Sequence, residues 1–303
     1  MNGSVVVLAG GTGGAKLARG LLDVLEPGEL AVVANTGDDV ELYGAYVSPD
    51  PDLVTFWLSD RIDARGWGLE GDTFHVMDGL RALGVDVWFN LGDRDLAIGL
   101  HRAEALVRGR RLTEAQAAIA HALGLEARVL PMSDQPVRTR VRAHGRWWSF
   151  QEFMIRGRGA GPVDEVDFHG VRAARPTPEV LAAIAGAQAV VIGPSNPVVS
   201  IGPILAVPGL ADAIRASPAP VVAVSPLVQG AVVKGPTQPF MEWAGHPLSS
   251  DGIATTYGAL IDGLVADQPT ALVDTVHTDV VMATPEQRRR VAEETLRFAR
   301  SLG

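Results

Sequence analysis

Apolar residues in this chain follow two patterns. Short apolar runs occur at 5–9, 30–34, 189–192 and 221–224, with looser ones at 85–89, where Asp86 interrupts, and at 271–274, which ends in Asp274. Runs of this length with no polar alternation predict strands buried on both faces. Between them the apolar positions recur every third or fourth residue, as at Leu17, Leu21, Leu22 and Leu25. That spacing predicts helices, here after the first run and over 53–60, 178–186, 209–216 and 251–266. The alternation predicts an α/β chain: a Rossmann-like, mostly parallel sheet flanked by helices, joined by crossover connections. From about 128 to 171 the period changes to two, with Thr, Val, Trp and Phe prominent, which predicts an inserted antiparallel hairpin turning at His144 and Gly145. Adjacent Trp147 and Trp148 on such a strand point to opposite faces. The amphipathic stretch 285–302 predicts a last helix that closes the core. With no repeat or flexible linker, residues 1–303 read as a single α/β domain carrying the β-rich insertion and a smaller helical lobe.

Composition narrows the chemistry. The 303 residues are 47% hydrophobic and 20% charged, a globular profile. A net charge of −9 argues against a nucleic-acid partner, which calls for a clustered basic surface. There is no cysteine, which removes disulfides, thiolate metal sites and a cysteine nucleophile. No leader-like stretch precedes the first run and no apolar run approaches the ~20 residues that span a bilayer, so the expected location is the cytoplasm, without a membrane partner.

Candidate chemistry gathers at the ends of the predicted strands. Gly10, Gly11, Thr12, Gly13 and Gly14 come directly off the first strand and open a helix, where unpaired amides and the helix dipole favour an anion. Lys16 follows in the first turn. The spacing is neither a Walker A loop nor a full dinucleotide fingerprint. The second strand ends in Asn35, Thr36, Gly37, Asp38 and Asp39, residues that either close a turn or, beside a phosphate site, hold a divalent cation. Asp52, in the stretch Ser48-Pro49-Asp50-Pro51-Asp52, either caps the helix over 53–60 or joins that site. Asp93, Arg94 and Asp95 follow 85–89 and Asn90, and form either a surface ion network or part of a shared pocket. Ser195 and Asn196 end the run at 189–192 and offer neutral hydrogen-bond donors.

Taken together, the blocks AGGTGGAKL, NTGDD, SPDPDLVTFWLSD, RGWGLEGDTFHVMDGLRALG, LGDRDLA, LPMSD, SFQEF, GPSNPVVSIGPILAVPG and VVAVSPLV resemble the 2-phospho-L-lactate transferase family of coenzyme F420 biosynthesis, CofD in archaea and FbiA in actinobacteria. The resemblance implies a Mg²⁺-dependent transferase. A guanosine diphosphate ester of a small acid (lactate, enolpyruvate or glycerate) is attacked by the ribityl hydroxyl of the deazaflavin Fo, GMP leaves, and F420-0 or dehydro-F420-0 forms. It implies that Gly10, Gly11, Thr12, Gly13 and Lys16 cradle the diphosphate. Asp39 and Asp52 become catalytic residues and Mg²⁺ ligands, with Asp52 nearest Fo. Asn90, where relatives can carry a basic residue, faces Fo; Ser195 and Asn196 face the guanosine nucleotide; Asn35, Asp93 and Arg94 complete the binding set. It also implies a homodimer. A related regulatory family that binds nucleotide sugars shares the glycine loop and is the alternative; the SPDPD and RGWG blocks favour the transferase. A nicotinamide dehydrogenase is disfavoured by Asn35, which stands where an acidic residue would hold the adenosine ribose.

Overall fold

The computed structural model describes residues 3–26, 28–232 and 235–303. The first buried run forms β1 (Ser4–Ala9), followed by α1 (Gly11–Leu22) and β2 (Leu30–Ala34). Val6 and Leu8 of β1 enter one apolar layer while Val5, Val7 and Ala9 enter the other. The strand needs no polar face because both sides of the sheet are covered. A hairpin of β3 (Val40–Leu42) and β4 (Ala45–Val47) leads to α2 (Pro49–Leu58), α3 (His75–Ala82), α4 (Asp93–Val107) and α5 (Leu112–Ala122). Then come β5 (Arg128–Pro131), β6 (Arg138–Ala143), β7 (Arg146–Ser149), α6 (Phe150–Ile155), β8 (Val163–His169), α7 (Pro178–Ala185) and β9 (Ala187–Ile192). The remaining elements are α8 (Gly202–Ala206), α9 (Leu210–Ala216), β10 (Val221–Val224), the short pair β11 (Leu227–Val228) and β12 (Ala231–Val232), α10 (Thr237–Trp243), α11 (Ser250–Tyr257), β13 (Gly263–Ala266), β14 (Asp274–His277) and α12 (Pro285–Leu302).

Seven strands form one sheet in the order β14-β13-β10-β9-β1-β2-β5, and every neighbouring pair is parallel. From β1 the chain winds outward through β2 to β5, then returns to the other side of β1 at β9 and winds outward again. The sheet is doubly wound, and its winding reverses between β1 and β9. Ligands of such sheets bind in the crevice beyond the carboxyl ends of the strands at that reversal. One face is covered by α1, α2 and α12, which bury Leu17, Leu21, Val54, Val291 and Leu296. The other face carries α7, α9 and α11 together with the antiparallel sheet β7-β6-β8.

The hairpin turns at His144 and Gly145, both at positive φ (54° and 76°), the backbone of a two-residue type I′ turn. Trp148 packs towards the core and donates from Nε1 to the Ala143 carbonyl at 2.9 Å, while Trp147 is exposed. The antiparallel region begins later than the period change suggested, because β5, inside 128–171, is the outermost strand of the parallel sheet. The run at 85–89 is not a strand but an extended loop over a small separate cluster of Ala45, Val47, Met77, Leu91 and Leu96. The helix expected over 251–266 ends at Tyr257. Gly258, at φ 52°, reverses the chain and the apolar tail becomes β13. The strand expected at 271–274 begins at Asp274. It lies at the sheet edge, where half-exposed Thr275 and Val276 carry little apolar signal. Among the described residues no single helix is long and apolar enough to cross a membrane.

Candidate functional site

The loops after β1 and β9 meet at the reversal point, and their contact explains most of the glycines. A Cβ on Gly13 would lie 1.9 Å from the Pro194 carbonyl oxygen, and one on Gly14 2.7 Å from the Ala9 Cβ and 2.9 Å from Ser195 Oγ. A Cβ on Gly10 would meet the Ser200 Cβ at 2.7 Å. The Gly10 amide donates to Ser195 Oγ at 3.2 Å, tying the two loops together. Gly11 opens α1 at φ 74°, a conformation that favours glycine. Thr12 and Gly13 occupy the second and third positions of α1, where helix geometry leaves amides without intrahelical acceptors and the dipole is positive. Asn196 Oδ1 accepts from the Val198 and Val199 amides (2.9 and 3.2 Å), which fixes the side chain beside these amides. Its Nδ2 is buried without a partner.

An acidic pair stands next to this loop. Ser48 precedes α2 and Pro49 and Asp50 fill its first two helical positions, so Asp50 reaches back to α1: its Oδ1 accepts from the Gly11 amide at 2.7 Å. Asn35 Nδ2 donates to Asp50 Oδ2 (2.9 Å) and to Asp38 Oδ1 (3.1 Å), and Asn35 Oδ1 accepts from the Gly37 amide. Burial pushes Asp50 up to about 6 despite the donors Asn35 and Gly11, and pushes Asp38 well above the usual carboxylate range, helped by the Asp50 charge. Two adjacent buried carboxyls joined by a neutral amide fit a divalent cation that takes its other ligands from phosphate oxygens. Among the described residues no three His, Cys, Asp or Glu side chains form a ready-made cage.

Asp52, two residues further along α2, is held differently. Arg102 from α4 grips both carboxylate oxygens, Nη1 reaching Oδ2 at 3.1 Å and Nη2 reaching Oδ1. The same guanidinium donates to the Tyr46 carbonyl (2.9 Å) and to Gln116 Oε1 (3.1 Å). Gln116 in turn donates to Thr55 Oγ1 at 2.8 Å. Asp52 is not the cap of α2, which starts three residues earlier, and its carboxylate is neutralised by an internal cation.

The cavity is about 890 Å³ and brings together Gly10, Gly11, Thr12, Gly13, Lys16, Asp52, Asn90, Ser195 and Asn196 of the predicted residues. Lys16 Nζ lies 5.7 Å from the Trp57 ring centroid. Asn90 accepts from Arg81 at 2.6 Å. Asn35, Asp39, Asp93 and Arg94 lie outside the lining. Asn35 stands behind the wall and orients the acidic pair. Asp39 accepts from Ser48 Oγ at 2.7 Å, and burial pushes it up to about 7. Asp93 caps α3, accepting from Thr73 Oγ1 and from the His75 and Val76 amides. The exposed Arg94 reaches the Glu70 carbonyl at 3.4 Å. The lining also holds Asp38 and Asp95, which the sequence offers as cation and pocket candidates beside Asp39 and Asp93, and adds residues that sequence reasoning did not select: Asp50, and an aromatic and apolar wall of Trp67, Trp88, Phe89, Phe150, Met154 and Ile155. For Asp50 a signal existed, since S-P-D places Ser at the cap and Pro at the first helical position. The wall is drawn from separated segments and leaves no local signal.

Fold and site together define a doubly wound α/β protein with a composite crevice at its switch point, lined by glycine-loop amides, paired carboxyls and aromatic rings. The profile of the family described as 2-phospho-L-lactate transferase CofD matches residues 5–296. The chain belongs to that family, and it is a transferase of coenzyme F420 biosynthesis. It is 39% identical over 265 residues to the 2-phospho-L-lactate transferase of Methanosarcina mazei, covering 87% of each chain. It is 42% identical over 271 residues to the phosphoenolpyruvate transferase of Kitasatospora aureofaciens, covering 87% of this chain and 84% of that one. Among solved structures, a member of the UPF0052 family from Bacillus halodurans has the same fold, with a TM-score of 0.63, 17% identity, and coverage of 98% of this chain and 99% of that one.

Proposed function

We propose that the protein transfers a phospho-acid moiety (2-phospholactate, phosphoenolpyruvate or a three-carbon analogue) from its guanosine diphosphate ester to the ribityl hydroxyl of Fo, releasing GMP and yielding F420-0 or dehydro-F420-0. The observation that carries this reading is the single cavity in which α1 amides, the Asp38–Asp50 pair and an aromatic wall face one another. A diphosphate suits the Thr12 and Gly13 amides, which offer preorganised donors at a positive helix end. A planar deazaflavin suits Trp67, Trp88 and Phe89, whose faces offer stacking area in an otherwise apolar wall. Transfer to phosphorus depends on positioning and charge neutralisation more than on covalent help, and that is what this site offers.

Asp38 and Asp50 are the residues that would hold Mg²⁺, which when bound supplies positive charge to the diphosphate. Asp52 has both oxygens on Arg102 and suits the orientation of a ligand hydroxyl better than metal binding. Asn196 Nδ2, buried and unpartnered, is placed to donate to the nucleotide. A homodimer working in the cytoplasm belongs to the same reading.

The test is direct. Purified protein with Mg²⁺, Fo and, in turn, the lactyl, enolpyruvyl and glyceryl diphosphoguanosine esters is expected to release GMP only when Fo is present. GMP release independent of Fo, or none with any donor, overturns the reading. Nucleotide binding without turnover would favour the regulatory alternative.

A further inference from the structure

Four carboxylates crowd the junction of α2, α3 and α4, and three of them accept hydrogen bonds from other residues. Asp52 is gripped by Arg102. Asp72 accepts from the Thr73, Arg94 and Asp95 amides and so caps α4. Asp93 caps α3. The fourth, Asp95, accepts no hydrogen bond on its side chain among the described residues, and it lines the cavity together with Asp52, Asn90 and Leu91.

Its placement is built into the helix. Asp95, Gly99 and Arg102 are spaced at four and three residues and so share one face of α4. Gly99 lets that face press on β4, since a Cβ there would lie 3.0 Å from the Ala45 Cβ and 3.3 Å from the Tyr46 carbonyl oxygen. The contact that delivers Arg102 to Asp52 therefore also sets Asp95 two turns nearer the helix start, in the first turn of α4.

We infer that Asp95 is the general base of the transfer, accepting the proton of the attacking ribityl hydroxyl; the assignment rests on the transferase reading above. As the hydroxyl oxygen bonds to the phosphorus bearing the acid, its O–H bond breaks and the proton passes to an Asp95 carboxylate oxygen. The bond from that phosphorus to the bridging oxygen breaks, and its electron pair leaves with GMP. The proton is released to solvent once product has left. The charged groups that face Asp95 are Asp52 from α2, Asp72 from the segment before α3, and Arg102 on its own helix. Burial first, then the charges of Asp52 and Asp72, push its carboxyl up to about 7 against the opposing Arg102. A base titrating there suits proton transfer near neutral pH.

The experiment compares wild type, Asp95→Asn and Asp95→Glu at saturating Fo and donor from pH 5.5 to 9, with Fo and GDP binding measured by calorimetry. In the wild type, kcat is expected to rise with pH through about 7. Asp95→Asn is expected to lower kcat by ~10²–10⁴-fold and to abolish that rise, with both dissociation constants within about threefold of wild type. Asp95→Glu is expected to restore the pH limb in part. If Asp95→Asn keeps the limb, or if its rate loss is matched by lost Fo or GDP binding, Asp95 is not the base. If the wild type turns over no donor, the transferase reading itself fails and the assignment falls with it. Wild-type turnover with an unaltered Asp95→Asn profile overturns the assignment alone.

Discussion

Arg102 heads the fully buried side chains by volume among the described residues, and it sits behind the cavity wall, on Asp52, rather than in the apolar core. A buried guanidinium is tolerable because four acceptor contacts surround it: two on Asp52, one on Tyr46 and one on Gln116. Removing it leaves Asp52 buried without its counterion. Arg102→Met is expected to cost about 3–5 kcal/mol, read as a lowered urea midpoint, and the double variant Arg102→Met, Asp52→Leu is expected to recover much of it. Equal losses in single and double variants would show that the pair is not what holds α4 to α2. At this scale the residue types were legible in the sequence, and their partners were not. NTGDD and SPDPD both reach the cavity region, where Asn35 joins Asp38 to Asp50, while Asp39 bonds Ser48 and Asp52 is held by Arg102. The difference is one of side-chain direction after a strand and around a helix start, which spacing alone does not resolve.

At the scale of elements, α1 and the β9 loop interlock through backbone atoms. Gly13→Ala places a methyl 1.9 Å from the Pro194 carbonyl oxygen, and neither backbone can yield without separating the loops. The expected cost is about 1–3 kcal/mol together with loss of GDP binding. The exposed interior of α3 gives the contrast: a Cβ on Gly79 meets nothing within 4 Å, so Gly79→Ala is expected to stabilise by about 0.5–1 kcal/mol. Parallel changes in the two variants would reduce the glycine cluster to ordinary helix propensity. Strands β1, β2, β9 and β10 were legible because burial on both faces makes them unbroken Val, Ile and Ala runs. β14 was misplaced because an edge strand exposes half its residues. β13 was read as helix because Gly263–Ala266 continues an apolar spacing that only the turn at Gly258 interrupts.

For the molecule as a whole, several buried acids carry a shared consequence for pH. Asp39 and Asp95 titrate at about 7 and Asp50 at about 6, all above the ordinary value of 3.8. Between these limits the native state holds protons that the unfolded chain has lost. Stability from these groups is therefore greatest below about pH 4, falls as pH rises to about 7, and levels off above it. Urea midpoints are expected to decline over that window with a slope that Asp50→Asn reduces, and Mg²⁺ is expected to raise the midpoint more at pH 7.5 than at pH 5.5, because the cation competes with protons for the acidic pair. A Mg²⁺ effect independent of pH would remove Asp38 and Asp50 from the metal site. The architecture at this scale was the most legible layer, since alternating buried runs and helices with a glycine turn admit few topologies. The cavity wall was the least, because its rings come from loops and helices far apart in the chain.

The bond from Gly10 to Ser195 spans 185 positions. A chain emerging from the ribosome completes α1 early, yet that helix end has no opposite wall until β9 and its loop have been made. An N-terminal fragment stopping before β9 would hold the glycine loop without the Ser195 partner that ties it down. The glycine loop written in the first fifteen residues is thus completed only by the second half of the chain.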